Sequence, residues 1–151
     1  MTSWPHLLTA FAAAGLTVGS SQPSAGTTAE GMVLLDDQPL AGATVQFWPK
    51  DDLTLGLAYS NGTTDRDGRF RLKSRDGPVL KPGRYIVLVK RLVKPDGTPP
   101  TVEEATRADP LTAWRNTLPE LYSDKEHTPH NAVEIRPGHN DLPPLNLKSK
   151  P

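Results

Sequence analysis

Proline and glycine interrupt this chain so often that few of its segments are long enough for a helix. The sequence has 16 prolines and 12 glycines among 151 residues, and both residue types break helices and favour turns. Short segments bounded by turns are typical of all-β proteins, whose strands rarely exceed about ten residues. Since the length is that of one domain, the spacing of these residues predicts a single all-β domain.

The composition excludes several kinds of site. The chain has no cysteine, so it has no disulfide, thiolate nucleophile, iron–sulfur cluster or cysteine-ligated zinc. Its 17 basic and 17 acidic residues give a formal net charge of zero, which argues against a protein built to bind nucleic acid or an anionic membrane. Neither count points to an enzyme, and no cofactor is predicted.

The first residues are typical of an export signal. Residues 7–18 form an apolar run that is too short for a membrane span, which needs about 20 residues. Small residues follow at 19–21, as they do at the cleavage region of a secretory signal, although no lysine or arginine precedes the run. We therefore expect a signal peptide at 1–20, a linker at 21–29 and an exported protein. Because the chain has no cysteine, we expect no lipid anchor through that residue.

Beyond the linker, apolar and polar residues alternate in short runs, which is the pattern of half-buried strands. In one such run Val45 and Phe47 share a face. The run around Val87 is apolar on both faces, so we expect both faces of that strand to be covered. Asn61-Gly62 is a tight-turn signal, and residues 137–141 form another turn cluster. Strands are predicted at 31–35, 43–48, 55–60, 68–73, 84–93, 132–135 and 145–147.

The segment 94–131 lacks this alternation and contains six prolines. A structureless loop of that length is uncommon inside a compact domain. We therefore interpret the segment as a long, partly ordered crossover from one sheet to another, with Leu121 and Tyr122 packing on the domain. Short strands in this number fit a β-sandwich or a small barrel.

Three motifs follow one another along the chain: QPLAGATVQF at 38–47, TDRDGRFRL at 64–72 and KPGRYIV at 81–87. In this order and spacing the chain resembles the carboxypeptidase regulatory-like domain. The resemblance covers residues 30–148. It implies an all-β, transthyretin-like, seven-stranded β-sandwich in which 94–131 is the long proline-rich crossover.

The end of the chain resembles, more narrowly, small exported members of this family from planctomycete-type bacteria, through LPELY at 118–122, TP at 128–129 and VEIRPGHN at 133–140. Members of this kind act as non-catalytic modules. Two features depart from the family pattern. Gln38 stands where glycine is usual, so we expect the turn there to avoid a positive φ. The cysteine that often anchors such proteins to lipid is absent.

The residues that define these motifs have structural rather than catalytic roles. Asp65 is placed to accept hydrogen bonds from the amides of the turn that follows it, and Gly68 supplies a backbone angle that other residues disfavour. No catalytic residue is predicted. The predicted structural turn residues are Gly42, Asp65, Gly68, Pro82, Gly83 and Gly138.

Three late histidines are the candidates for a metal site: His127, His130 and His139. Imidazole and nearby carboxylates bind transition metals, and the intradiol dioxygenases, which have a related sandwich, hold iron with two tyrosines and a His-x-His pair. This chain offers Tyr122 but has His-x-x-His. Because no helix or strand sets the spacing of these histidines, we predict that they are exposed loop residues and that they hold no metal.

We expect a non-enzymatic, exported β-sandwich module with a structural or interaction role in the cell envelope. Its partner would be a cell-envelope protein or a polysaccharide rather than nucleic acid. The segment 66–94 has ten lysines and arginines against two acids, which gives either a contact surface or a solvated edge that discourages aggregation. Two alternatives stay open: a carbohydrate-binding module that presents Trp48 or Trp114 to sugar rings, and a metal-dependent enzyme of the intradiol-dioxygenase type.

Overall fold

A computed structural model of the chain describes residues 26–51, 59–74, 80–107 and 114–151. The expected signal peptide, most of the expected linker and residues 55–58 of a predicted strand lie outside these ranges. The described residues are all-β, with one short helix, α1 (Val102–Arg107), and one 3₁₀ turn (Glu120–Ser123). The strands are β1 (Thr28–Leu35), β2 (Gln38–Pro39), β3 (Thr44–Pro49), β4 (Ser60–Thr63), β5 (Arg69–Arg71), β6 (Lys73–Ser74), β7 (Gly83–Lys90), β8 (Leu92–Val93), β9 (Arg115–Asn116), β10 (Val133–Ile135), β11 (His139–Asp141) and β12 (Leu145–Leu147).

β1 is the central strand of the first sheet. It pairs in parallel with β11 and β12 on one side, and antiparallel with β5 and β2 on the other. Thr28 pairs with His139 and Val33 with Leu145, so the register shifts by one residue between β11 and β12. This shift makes a bulge at residues 142–144, where two prolines interrupt the pairing.

The second sheet has the strand order β10-β7-β3-β4-β6, and β8 and β9 form a separate small ribbon. Val45 pairs with Val89 and Phe47 with Val87, and all four are fully buried. Since directly opposite residues share a face, the alternation predicted for β3 places these side chains on the inner face of the sheet.

The two sheets meet at one hydrophobic core that draws residues from both, an arrangement that fits a β-sandwich. Phe47 of the second sheet contacts Phe70 of the first, with ring centroids 6.3 Å apart, and Tyr85 at 5.9 Å. The Tyr85 hydroxyl donates to the Lys81 carbonyl at 2.7 Å, and burial raises the pKa of Tyr85. Burying each such large side chain contributes about 1.5–3 kcal/mol, so these rings hold the two sheets together.

The proline-rich segment 94–131 packs on the domain as predicted, but the expectation that it crosses from one sheet to the other was wrong. β7, which comes before it, and β10, which follows it, pair with each other in the second sheet. Tyr122 is buried in the core with Leu118, its hydroxyl accepts a hydrogen bond from the Lys148 backbone at 2.7 Å, and Leu121 packs at the edge of the core.

Leu88 is 2% exposed and lies opposite Gln46 on the outer face of the second sheet, which confirms the expectation that β7 is covered on both faces. Within the described ranges, no helix has the length and apolar character to cross a membrane.

Three local predictions were wrong. Thr28 and Ala29 belong to β1 rather than to a linker, and Ala29 is fully buried. Residues 139–141 form β11 instead of continuing the turn that begins at Pro137. Asn61-Gly62 lies inside β4, where the sequence indicated a tight turn.

Close backbone packing explains the glycine in β4. A Cβ atom on Gly62 would lie 2.6 Å from the backbone oxygen of Arg71 on β5. β4 belongs to the second sheet and β5 to the first, so backbone from the two sheets approaches closely here. Glycine inside a strand commonly marks such an approach rather than a turn.

The β1–β2 connection is a two-residue hairpin, because Leu35 pairs with Gln38. The expectation that this turn avoids a positive φ was wrong: Gln38 itself avoids one, but Asp36 and Asp37 have φ values of 49° and 67°. Positive φ at both central residues is the signature of a type I′ turn. The aspartates are held by the C-terminal end of the chain, since Asp36 accepts a hydrogen bond from the Ser149 backbone at 3.1 Å. The side-chain hydrogen bond with Ser149 and, after it, this backbone hydrogen bond lower the pKa of Asp36.

Asp37→Gly is expected to raise the free energy of unfolding by about 0.5–1 kcal/mol, because glycine is the preferred second residue of a type I′ turn. The exposed Lys148–Asp37 ion pair that the change removes contributes little. Urea denaturation of the purified protein measures the difference. Gln38→Gly is the matched control: it adds a glycine without relieving a positive φ, so it should lower stability by about 0.5–1 kcal/mol. Equal effects of both variants would contradict the assignment of the turn.

Candidate functional site: the open face of the first sheet

The outer face of the first sheet has a network of charged side chains centred on Glu30. Arg71 on β5 and Asp141 on β11 flank Glu30 from opposite sides. Arg71 donates to the Glu30 carboxylate at 3.1 and 3.3 Å. His139 Nε2 lies 3.5 Å from the other Glu30 oxygen, and His139 Nδ1 is 3.0 Å from the Thr28 hydroxyl. We call this surface the open face: Thr28, Glu30, Met32, Arg69, Arg71, His139 and Asp141.

These contacts make a surface suited to recognition rather than to stabilising the fold. The Arg71 side chain is 74% exposed and the Glu30 side chain 35%. Ion pairs at such exposure contribute between zero and about 1 kcal/mol, since water screens them. Although a hydroxyl, an imidazole and a carboxylate follow one another here, His139 is 59% exposed. The arrangement therefore lacks the dry environment in which such a relay activates a nucleophile.

Two grooves of about 420 and 680 Å³ adjoin the open face. Both are lined by Glu30, Arg69 and Phe70, so they meet along one line of residues. The first groove continues over Met32 and Asp141 to the bulge at 142–144. The second groove continues over Arg71 to Asn61, Gly62, Thr63 and Asp65.

The grooves present two charges that have no partner. In the part of the chain that the structure describes, neither the Arg69 guanidinium nor the Asp141 carboxylate forms an ion pair or a side-chain hydrogen bond. Arg71, by contrast, is neutralised by Glu30. Sequence alternation placed Arg69 and Arg71 in water, and both are exposed. Glu30 and Asp141 were not predicted as site residues, because only the strand pairing brings them beside Arg69.

The predicted turn residues shape the second groove and its surroundings. Asp65 Oδ1 accepts hydrogen bonds from the backbone N–H groups of Asp67 and Arg69 at 2.9 and 3.0 Å, which is the geometry of an Asx turn. This turn starts β5 and so positions Arg69. Pro82 precedes the first residue of β7. Positive φ values occur at Gly42 (72°), Gly68 (71°), Gly83 (151°) and Gly138 (89°).

The three candidate metal-binding histidines lie in different surroundings. His127 is exposed, as predicted, with Nδ1 2.7 Å from Asp124. The prediction of exposed loop residues was wrong for the other two: His139 lies in strand β11 on the open face, and His130 is half-buried beside β7. The His130 Nε2 atom is buried without a hydrogen-bond partner among the described residues. Across 26–51, 59–74, 80–107 and 114–151, no three His, Asp or Glu side chains are grouped so that they could hold a metal ion. Tyr122, the candidate iron ligand, is 3% exposed in the core.

His127 is expected to titrate above pH 6.5, and His130 below it. The hydrogen bond to Asp124 and its negative charge raise the pKa of His127, whereas burial lowers the pKa of His130. His127 thus stabilises the fold below pH 6.5, an effect lost as the pH rises through its folded-state pKa. His130 does the reverse, because the unfolded chain takes up its proton first as the pH falls below 6.5. Proton NMR titration of the imidazole signals measures both values. Asp124→Asn should lower only the pKa of His127, and a parallel shift of His130 would contradict this assignment.

Trp48, one of the two tryptophans proposed for sugar stacking, is not an open platform. It stacks on Tyr59 with ring centroids 4.5 Å apart, and the Lys125 ammonium lies 3.4 Å from the centroid of its ring. The indole is therefore already in contact with an aromatic ring and a cation, and the Lys125 contact joins the proline-rich segment to the second sheet. Trp114 is half-buried and adjoins β9 in the chain.

The basic segment at 66–94 is partly neutralised by acids from elsewhere in the chain. Arg71 pairs with Glu30, Arg84 with Asp51 and Lys94 with Glu104. The Asp51 pair is bidentate, with contacts of 2.7 and 2.8 Å, and it raises the pKa of Arg84. The segment is thus not one continuous basic stripe. Arg69 and Arg71 are the parts of it that line the grooves, and Arg71 is already paired with Glu30.

Comparisons with known proteins provide little information about the family or function of the chain. No protein-family model matches the chain, and no curated protein matches it. Among solved structures, a 9R-lipoxygenase from Cyanothece PCC8801 aligns with 80% of this chain at 16% identity and a TM-score of 0.35. This chain spans 16% of the length of that enzyme. At this TM-score the likeness bears on neither the fold nor the function of the chain.

Proposed function

We propose that the chain is a non-catalytic, exported β-sandwich module of the transthyretin-like, carboxypeptidase regulatory-like kind, with an interaction role in the cell envelope. The open face of the first sheet is its contact surface. The partner is a protein of the envelope.

The motif order supports the fold part of this proposal. The first motif begins at β2 and runs into β3, the second spans the Asp65 turn and β5, and the third leads into β7. All three therefore build the two facing sheets rather than a pocket. The N-terminal apolar run at 7–18 supports export.

The observation that carries the interaction role is the contrast between the two outer faces. On the second sheet, Leu88 is buried and Lys125 of the proline-rich segment lies over Trp48. The open face instead has exposed charges of both signs along two adjoining grooves. A polar, charged surface with wide grooves is typical of a transient protein interface rather than of an enclosed substrate pocket.

Co-sedimentation of the purified full chain with the envelope fraction of the cells that produce it tests this role. Arg69→Glu should weaken binding by about tenfold, since reversing a contact charge opposes the partner's charge. Arg66→Glu is the matched control, because Arg66 is exposed three residues away and lines neither groove. Equal losses in both variants, or unchanged binding in Arg69→Glu, would remove the open face as the contact surface. Turnover of a substrate by the purified protein would overturn the non-catalytic role.

A further inference from the structure

We propose that the first groove binds an extended peptide segment that has a basic residue and an acidic residue three or four positions apart, with apolar residues between them. This inference rests on the proposed interaction function and names the chemistry of its partner. The groove is the one lined by Glu30, Met32, Arg69, Asp141 and the bulge at 142–144.

The charges of the groove determine which charged residues the bound peptide needs at its two ends. Glu30 is occupied by Arg71 and His139, whereas Arg69 and Asp141 have no ion-pair partner among the described residues. Asp141 also lies directly opposite Glu30 on the neighbouring strand, and like charges so placed repel each other. A cation bound at Asp141 would relieve this repulsion, and an anion would pair with the fork of Arg69.

The strand register sets the spacing between these charges. Arg69 is opposite Met32 and Asp141 is opposite Glu30, so their Cα atoms are two strands and two residues apart. With strands about 4.8 Å apart and a rise of about 3.3 Å per residue, this separation is about 12 Å. An extended peptide spans about 10 Å from residue i to i+3 and about 13 Å from i to i+4. The segment therefore fits with its charged residues three or four positions apart.

Apart from Glu30, which is already paired, the rest of the groove lining beside the two charges is apolar. Met32 lies on the outer face of β1, half-buried, and Leu142, Pro143 and Pro144 line the same groove. Methionine adapts its shape to different apolar partners, and the prolines add apolar surface without a backbone N–H group. This surface suits the aliphatic side chains in the middle of the segment.

The lining favours a peptide over a polysaccharide. The one aromatic residue among the lining residues, Phe70, is 3% exposed and packs in the core, so this groove has no platform on which a sugar ring could stack. Opposite charges on either side of an apolar strip complement a chain that has both charges, as peptides do and acidic polysaccharides do not.

NMR titration of the ¹⁵N-labelled full chain tests the inference. The probe is N-acetyl-Lys-Leu-Leu-Glu-amide, and the control peptide has glutamine at both charged positions. The first peptide should shift the amide signals of Met32, Arg69 and Leu142, and the control should bind at least about tenfold more weakly. Arg69→Glu and Asp141→Lys should each weaken binding by about tenfold, while Arg66→Glu and Asp67→Lys, which change exposed charges outside the groove, should not.

The outcomes separate this inference from the function on which it rests. Equal binding of the two peptides, no shift at millimolar peptide, or equal losses in the four variants would overturn the peptide assignment. Shifts at the same residues with oligogalacturonate instead of the peptide would assign the groove to an acidic polysaccharide. If the peptide fails but envelope binding still depends on Arg69, only this inference falls. If envelope binding does not depend on Arg69, the proposed function falls as well.

Discussion

Gly68→Ala is expected to lower the free energy of unfolding by about 2–4 kcal/mol, a large part of the 5–15 kcal/mol available to a domain. Two causes add. Gly68 has a φ of 71°, which costs any other residue about 1 kcal/mol or more. A Cβ atom there would also lie 2.7 Å from the Val33 oxygen and 3.0 Å from the Leu40 nitrogen, both of them backbone atoms that cannot rotate away. Equilibrium unfolding in urea, followed by fluorescence, measures the loss.

Gly42→Ala separates the two causes. Gly42 has nearly the same φ, 72°, but a Cβ atom there would meet nothing within 4 Å. This control should lose only the backbone term of about 1 kcal/mol. Equal losses of stability in the two alanine variants would show that the contact between the Asp65 turn and the β1–β2 hairpin is not tight. The hydrogen bond from the Val33 N–H to the Gly68 carbonyl at 2.8 Å would then contribute little to stability.

These two glycines illustrate what the sequence could predict. Gly42 and Gly68 stand in motifs whose spacing alone indicates turns, and Val45 and Phe47 alternate clearly enough to place them in a core. The turn prediction at Gly62 was wrong because Asn61 and Gly62 together match a local turn signal. The contact that requires glycine comes from Arg71 on another strand. Local signals fail where a distant part of the chain determines the residue.

The candidate site was harder to predict for the same reason. The alternation of β5 placed Arg69 in water, but Asp141 becomes its neighbour across the groove only because β11 pairs in parallel with β1, more than a hundred residues earlier in the sequence. Parallel pairing between the two ends of a domain leaves no local pattern. The histidines were candidates for a metal site because of their residue type, but the strands and turns in which they lie separate them. Residue type thus drew attention to histidines that lie in different surroundings, whereas strand pairing brings together the charged residues of the open face.

Asn140→Asp is expected to lower the free energy of unfolding by about 3–5 kcal/mol at pH 7. Asn140 is 9% exposed, and its Nδ2 group donates to the carbonyls of Thr28, Arg136 and Gly138 at 3.1, 2.8 and 3.1 Å. Its Oδ1 atom accepts from the Arg136 backbone at 2.9 Å. An aspartate keeps only the accepting side, removes the donor that the three carbonyl oxygens share, and directs a negative charge at them. The Gly138 carbonyl keeps one other donor, the Thr28 N–H at 3.0 Å. The turn between β10 and β11, and the start of β1, would loosen together.

The pH dependence distinguishes this charge effect from a simple loss of hydrogen bonds. The carbonyl oxygens should raise the pKa of the new carboxyl above its unfolded value of about 3.9. Its protonated form is therefore favoured in the folded state, and the stability difference from Asn140→Ala should shrink as the pH falls from 7 towards 4. Asn146→Asp is the matched control, because Asn146 is exposed with one long contact of 3.4 Å to Pro144, and its change should stay within about 0.5 kcal/mol. The contrary result would be that Asn140→Asp and Asn140→Ala lose the same stability at every pH. It would show that the three carbonyls do not converge on this side chain. Strand pairing alone would then hold β1 to the end of the chain.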